Sequence, residues 1–501
     1  MKTMEPTARE EVNQSDQTHT SMQTDCQGMP PLTARLEPWM TASGTISRLH
    51  HLVQEHGSPL NLIHTDPFLR NIDALYQVAE SHQVDFDVYF ARKANKCLAF
   101  IDAAHSRGCG IDTASENELH QVLEHQVPSE KIICTAAVKS EALLQSCIVS
   151  GTTLAIDNPD ELSLTALLAA RLDRQAEIAL RISGFRHDGH KLPSRFGFDI
   201  EMILPLLRDL QQSAPTTLQT LNLTGVHFHL DGYSQAQRIS AIRQLLPLVD
   251  QLRDMQFPIR FIDIGGGIPM SYLESETEWN EFWMIHEQAL LDRQEPLTWQ
   301  NHGLGLQRVE DRLIGKPHCY PFYQSLVQAD WFKGILSAQY ETGTIASALR
   351  ERTLQLRCEP GRSILDGCGI TAARVESRKQ QPNGDWLIGL SMNRTQCRTS
   401  SDDFLVDPLL IPAMDESPLP RTPPGTSGFL TGAYCTESEL LCLRKLQFAR
   451  GVGIGDLIIF PNTAGYFMHF LESRSHQFPL AKNLVYHPQS GEYHPDAIEE
   501  P

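Results

Sequence analysis

The chain has 501 residues, 41% hydrophobic and 21% charged, enough apolar material for two or three domains with buried cores. Its 42 basic residues stand against 61 acidic ones, a formal charge of −19, which argues against nucleic acid or an anionic membrane as partner. No apolar run reaches the length of a membrane span, and the 11 cysteines include no CxxC pair, so neither a zinc site nor a redox dithiol is indicated and no metal is expected.

Residues 1–30 are polar and lack an apolar signal region. They read as a disordered tail, and the chain as a cytoplasmic protein with reduced thiols. Residues 31–60 read as an N-terminal segment that packs on a later β domain. Then come eight short β-branched or aromatic runs, at 88–91, 110–113, 131–135, 153–157, 178–182, 223–229, 259–264 and 354–359. Helical stretches such as 116–125 and 140–150 lie between them, with apolar residues at helical spacing. This alternation predicts an α/β fold, a (β/α)₈ TIM-like barrel over 61–365, rather than an open sheet. Residues 271–345 interrupt the repeat. They carry Trp279, Trp283, Trp299 and Trp331 and read as a largely helical insertion, a lid or a contact surface. From 366 to 501 the texture is strand and turn, which predicts a C-terminal β domain. Its Pro-rich part, 402–427, reads as an extended loop.

In such a barrel the chemistry sits at the carboxyl ends of the strands, and the loops after the seventh and eighth strands often bind phosphate. The seventh run is followed by Gly265-Gly266-Gly267, whose backbone can approach an anion closely. Alone, it is equally an ordinary turn. The eighth run leads into Glu359-Pro360-Gly361-Arg362, where Arg362 can fork onto a phosphate or simply face solvent. The first run ends at Arg92-Lys93-Ala94-Asn95. A strand-end lysine is usually solvated, but one at a partly desolvated barrel mouth can form a Schiff base. Amine, phosphate cradle and carboxylate together are what pyridoxal phosphate requires.

With these motifs in this order, residues 50–480 resemble the fold-type III pyridoxal-phosphate decarboxylases that act on diaminopimelate, ornithine and arginine. Alanine racemase is a more distant relative. The resemblance implies that Lys93 forms the cofactor aldimine, with Asp112 in Gly110-Ile111-Asp112 beside it and Arg181 closing the fifth strand. It implies that His229 in His227-Phe228-His229 stacks on the cofactor ring. Read as alternating positions of a strand, only one of His227 and His229 is expected to face inward, the other being a satisfied core residue. Gly265, Gly266, Gly267 and Arg362 would hold the phosphate, Glu359 would pair with the ring nitrogen, and Tyr466 would lie near the phosphate. Where the family reads His-Ile/Val-Gly-Ser, this chain reads His229-Leu230-Asp231-Gly232-Tyr233-Ser234, which makes Ser234 the serine candidate. Cys435 in Gly432-Ala433-Tyr434-Cys435 matches the cysteine supplied by the partner of a homodimer with shared active sites. Thr436 replaces the acidic residue that usually follows it, leaving Glu437 or Glu439 to read a distal ammonium group.

The implied activity is decarboxylation of a small amino acid, with Cys435 as general acid for the carbanion. A glutamate at the ring nitrogen makes a strong electron sink and favours decarboxylation over racemisation. The alternatives are a racemase or an enzyme acting on a D-configured centre, and a non-catalytic regulator of the antizyme-inhibitor kind.

Overall fold

In the computed structural model of the chain, the described residues are 25–399, 404–414, 419–496 and 498. They fall into two units: one reaches to Thr65 and adds Met270–Ser325 and everything from Leu365 on, and the other comprises Asp66–Pro269 and Leu326–Ile364.

The second unit is the barrel. Its strands are Phe86–Ala91, Gly110–Thr113, Ile132–Cys134, Thr153–Ile156, Ala176–Ser183, Leu221–His227, Phe261–Asp263 and Gln355–Cys358. Each pairs in parallel with the next, and the last closes onto the first. All eight runs expected from sequence are therefore strands. Buried on both faces, they read as continuous apolar runs rather than alternating ones. The barrel centre is packed, not open: Tyr89, Ile133 and Ala155 form one buried cluster. Gly225 leaves room for Phe261, whose ring would lie 2.2 Å from any Cβ added there. Arg357 lays its guanidinium 3.7 Å from the centre of that same ring.

The chain turns from strand to helix at small polar residues that satisfy the first free N–H groups of the helix. Ser115, Ser140, Asn158 and Ser234 each accept the backbone N–H three residues on, at 2.9–3.3 Å.

The stretch 271–345 is less helical than expected. Helices Glu276–Leu290 and Gln328–Ser337 flank a region without α-helix, where strands Leu306–Val309 and Arg312–Gly315 form a hairpin. Pro296, Gly303, Gly305, Gly315, Pro317 and Pro321 account for the break. Gln328–Ser337 belongs to the barrel unit and packs against helix Asp66–Ser81.

In the β-rich unit the long strand Gly369–Gln380 pairs with Trp386–Leu390, Leu60–Ile63 and Leu457–Pro461. Helix Ser43–His56 places Leu49 and Val53 in a core with Leu60, Leu62, Ile370, Ile459 and Leu484. Of the expected tail, residues 1–24 lie outside the described residues, but Cys26–Gly28 is a strand paired with Leu446–Phe448. Its anchor is a buried ion pair invisible to local composition. Asp407 accepts the N–H groups of Gly28 and Leu32 at 2.9 and 2.8 Å, and Arg444, 2.7 Å from Asp407, donates to Pro30 O at 2.6 Å. The Pro-rich 402–427 stretch also departs from an extended loop. Leu409–Ile411 is a strand paired with Leu457–Pro461, and Arg421 forks onto Asp456 with two contacts of 2.8 Å. Residues 402–403 and 415–418 lie outside the described residues.

Candidate active site

The first barrel strand runs into a short 3₁₀ turn, Arg92–Ala94, that carries Lys93 past the strand end. Buried Arg92 ties the turn down by donating to Asn95 O at 2.5 Å and to Gln121 Oε1 at 3.1 Å. Lys93 Nζ pairs with Asp112 Oδ2 on the second strand, and the other Asp112 oxygen accepts from Thr135 Oγ1 at 2.5 Å. A fully buried carboxylate is thereby satisfied on both oxygens, while the Lys93 side chain keeps 31% exposure.

Arg181, His227 and Asp263 are register partners on three neighbouring strands and form a row across the barrel mouth. Arg181 Nη1 lies 3.6 Å from Asp157 Oδ1, and its guanidinium stacks 4.1 Å over Phe196. Burial pulls its pKa down, against the pull of Glu359, Asp157 and Asp112.

The expectation that only one of His227 and His229 faces the site does not hold. Residues two apart on a strand share a face, so alternation never separated the two histidines, and beyond His227 the strand ends and His229 belongs to the loop. His227 is fully buried, with Nε2 3.2 Å from Glu359 Oε1. His229 Nδ1 accepts the Gly266 N–H at 3.2 Å. Burial, then Lys93, Arg181 and Arg238, hold the His229 pKa well below its usual value, so the ring is neutral with its proton on Nε2.

The glycine loop lies tight against the strand ends. Gly265 and Gly267 take left-handed φ of 63° and 79°. A Cβ at Gly265 would stand 2.6 Å from Phe228 O, and one at Gly266 2.7 Å from Glu359 O. Asp263 Oδ1 accepts the Gly265 N–H at 2.8 Å. Arg238 holds the loop from behind. Fully buried on helix Gln235–Asp254, it donates to Leu230 O, Gly232 O and Gly266 O at 2.9–3.1 Å and to Ser234 O at 3.3 Å. Ser234 caps that helix through its hydroxyl, 3.3 Å from Gln237 N.

Glu359, just beyond the eighth strand, is 3% exposed, and its Oε1 has no hydrogen-bond partner among the described residues. Burial, with Asp112 nearby, pushes its pKa up to about 8. Burial and Glu359 push Asp263 up to about 7, and burial pushes His227 down to about 4. Arg362 is partly buried in the turn that follows Glu359.

Thus the barrel unit brings together Lys93, Asp112, Arg181, His229, Gly265, Gly266, Gly267 and Glu359, with three residues sequence reasoning did not assign: His227, Asp263 and Arg238. Asp263 was legible as the residue two before the glycines. Arg238 was legible as a lone arginine on the same helix face as Ala241, Ile242 and Leu245.

Cys435, Glu437, Glu439 and Tyr466 belong to the β-rich unit. Cys435 and Glu437 are exposed in the turns after strand Thr426–Thr431. Glu439 points inward instead. It is 3% exposed and accepts the Arg394 N–H at 2.7 Å, which makes it a support for that turn. Tyr466 has a left-handed φ of 73° and packs edge-on against Phe470 at 5.6 Å.

Residues 69–295 match the pyridoxal-binding domain of pyridoxal-dependent decarboxylases. An uncharacterised Sinorhizobium fredii protein, y4yA, is 30% identical over 460 residues, covering 90% of this chain and 93% of that one. Diaminopimelate decarboxylase of Aquifex aeolicus is 26% identical over 245 residues, 46% of this chain and 55% of its own length, so the chain spans about half of that relative. The crystal structure of Helicobacter pylori diaminopimelate decarboxylase complexed with L-lysine superimposes with a TM-score of 0.64 at 17% identity, covering 90% of this chain and 96% of that one.

Proposed function

The chain belongs to the fold-type III pyridoxal-dependent decarboxylases, with pyridoxal 5′-phosphate as cofactor, and on that premise we propose that it decarboxylates a small amino acid at the carboxyl ends of the barrel strands. The observation that carries this reading is Glu359, a buried carboxyl group whose Oε1 is unpartnered among the described residues, in the same strand-end cluster as a partly exposed lysine and a glycine loop.

The residues present fit the cofactor. Lys93 is the amine that would hold its aldehyde. The glycine loop admits no side chain without collision, and with Arg362 and Ser234 it would hold the phosphate. Glu359 Oε1 is the acceptor left for the ring nitrogen. When bound, pyridoxal phosphate supplies an electron sink for the pair left on the substrate α-carbon.

The chain's own residues prepare that chemistry. Asp112 holds Lys93 in place and is the nearest acceptor for the proton its amine must lose. His229 is fixed by the Gly266 N–H in one tautomer, a neutral flat ring suited to stacking. Arg181 balances the carboxylates around it. Glu359 would hold a proton at the ring nitrogen when the cofactor is bound, which would favour decarboxylation over racemisation.

Cys435 would return a proton to the α-carbon, supplied by the partner chain of a homodimer, and Glu437 would read a distal ammonium. The test is borohydride treatment of the loaded protein, with peptide mapping and CO₂ assays over basic and acidic amino acids of both configurations. Reduction should label the Lys93 peptide, and one class should release CO₂. Labelling elsewhere, or no CO₂ from any class, would contradict the reading.

A further inference from the structure

His227, Asp263 and Glu359 stand on three consecutive barrel strands or their ends, the sixth, seventh and eighth. One side-chain polar atom of each lies within 4.8 Å of those of the other two, and all three residues are buried. Both imidazole nitrogens of His227, Oδ2 of Asp263 and Oε1 of Glu359 have no hydrogen-bond partner among the described residues. Buried polar atoms are nearly always paired, so four orphans in one cluster mark a place where protons are shared or a ligand completes the set. Two carboxyl groups this close in a buried site cannot both ionise cheaply. A neutral imidazole 3.2 Å from one of them is the group able to donate to it.

We propose that His227 and Asp263 are positioning residues that share a proton with Glu359 and so fix the charge of the carboxyl group facing the cofactor's ring nitrogen. The inference rests on the assignment of Glu359 to that nitrogen. His227 orients and stabilises the Glu359 carboxylate by donating from Nε2. Asp263 opposes it with a second buried negative charge, itself partly satisfied by the Gly265 N–H. On the Asp263 side, burial and Glu359 raise that carboxyl to about 7 while His227 pulls it down. The other groups facing the cluster are Lys93, Asp112 and Arg181 toward Glu359 and His227, and Arg357, Tyr89 and Cys358 toward Asp263 and Glu359.

The test reads the ring nitrogen directly, by ¹⁵N NMR of protein loaded with ¹⁵N-labelled pyridoxal 5′-phosphate across pH. Wild type should hold the ring proton through neutral pH. D263N removes a negative charge near Glu359 and should raise the pH at which the ring proton is lost. H227L removes the donor and should lower it, each by about one pH unit. H227Q, which can still donate, should stay close to wild type. Thermal denaturation of the cofactor-free variants separates misfolding from effect. A merely structural role would lower stability without opposed shifts of the ring-nitrogen midpoint. Unchanged midpoints in folded D263N and H227L overturn the inference and leave the decarboxylase reading intact. Opposed shifts without CO₂ release from any amino acid sink that reading and leave the triad standing.

Discussion

His227 Nε2 and Glu359 Oε1 stand 3.2 Å apart, both buried and neither hydrogen-bonded within the described residues. This pair, with Asp263 beside it, ties the stability of the cofactor-free protein to pH. In the unfolded chain Asp263 and Glu359 ionise near 3.8 and 4.5, and in the fold near 7 and 8. The folded state therefore holds protons that the unfolded state has lost, and unfolding free energy falls as pH rises through that window. His227, lowered from 6.5 to about 4, acts in the opposite sense only below pH 6.5. The melting temperature of cofactor-free protein should therefore fall between pH 6.5 and 8.5, a loss of about 2 kcal/mol. E359Q should flatten that slope. Equal slopes in wild type and E359Q, followed by calorimetry, would remove these groups as the cause.

Lys93→Ala should abolish reducible cofactor attachment and lower turnover by roughly 10³-fold or more. Asp112 then loses its ammonium partner, so the variant should also melt a few degrees lower at neutral pH. Absorbance and mass spectrometry after borohydride check the first effect, and calorimetry the second. Full attachment in K93A would place the cofactor on another residue.

Arg238→Leu should weaken cofactor binding without touching any atom expected to meet the cofactor. It removes the donor from Leu230 O, Gly232 O and Gly266 O, leaving buried carbonyls unpaired. The cost is about 3 kcal/mol of stability. Gly267→Ala should act through the same contact, since its Cβ would stand 2.0 Å from Arg238 Nη2 at a left-handed φ. Cofactor titration should show at least a tenfold weaker dissociation constant for both. Wild-type affinity in folded R238L would show that the loop does not depend on this arginine.

The two acidic residues near Cys435 should separate cleanly. Glu439→Gln weakens the bond to Arg394 N and should cost about 1 kcal/mol in stability. Glu437→Gln, at an exposed position, should leave the melting temperature unchanged and raise KM for a substrate with a distal ammonium. The reverse pattern, KM moved by E439Q alone, would reassign the substrate contact.

On the proposed homodimer with shared sites, a mixture of Cys435→Ala and Lys93→Ala chains should recover up to a quarter of wild-type activity, because one site of a mixed pair would carry both residues. No recovery despite proven subunit exchange would place both residues of a site on one chain.

Much of the barrel was legible in the sequence because strands buried on both faces leave apolar runs, and capping residues such as Ser115 and Asn158 mark where helices begin. The eighth run, expected at 354–359, is the strand Gln355–Cys358, which delivers Glu359 to the mouth. What failed was non-local. Cys26–Gly28 is polar enough to resemble a tail, and partners hundreds of residues away order it, Asp407, Arg444 and the strand Leu446–Phe448. The tryptophans of 271–345 suggested helix, but prolines and glycines between them set the backbone. Arg238 carried no motif, and its role depends on four carbonyls that only the folded loop assembles. His227 was discounted by treating it and His229 as opposite faces of a strand, although residues two apart share a face and the strand ends at His227.

The most direct measurement is ¹³CO₂ release from carboxyl-labelled amino acids by cofactor-loaded protein, with α-proton exchange followed in the same tube. The proposed function predicts CO₂ in step with a decarboxylated amine, lost in Lys93→Ala. Exchange of the α-proton without CO₂, from a cofactor held at Lys93, would contradict decarboxylation and make the chain a racemase on the same scaffold.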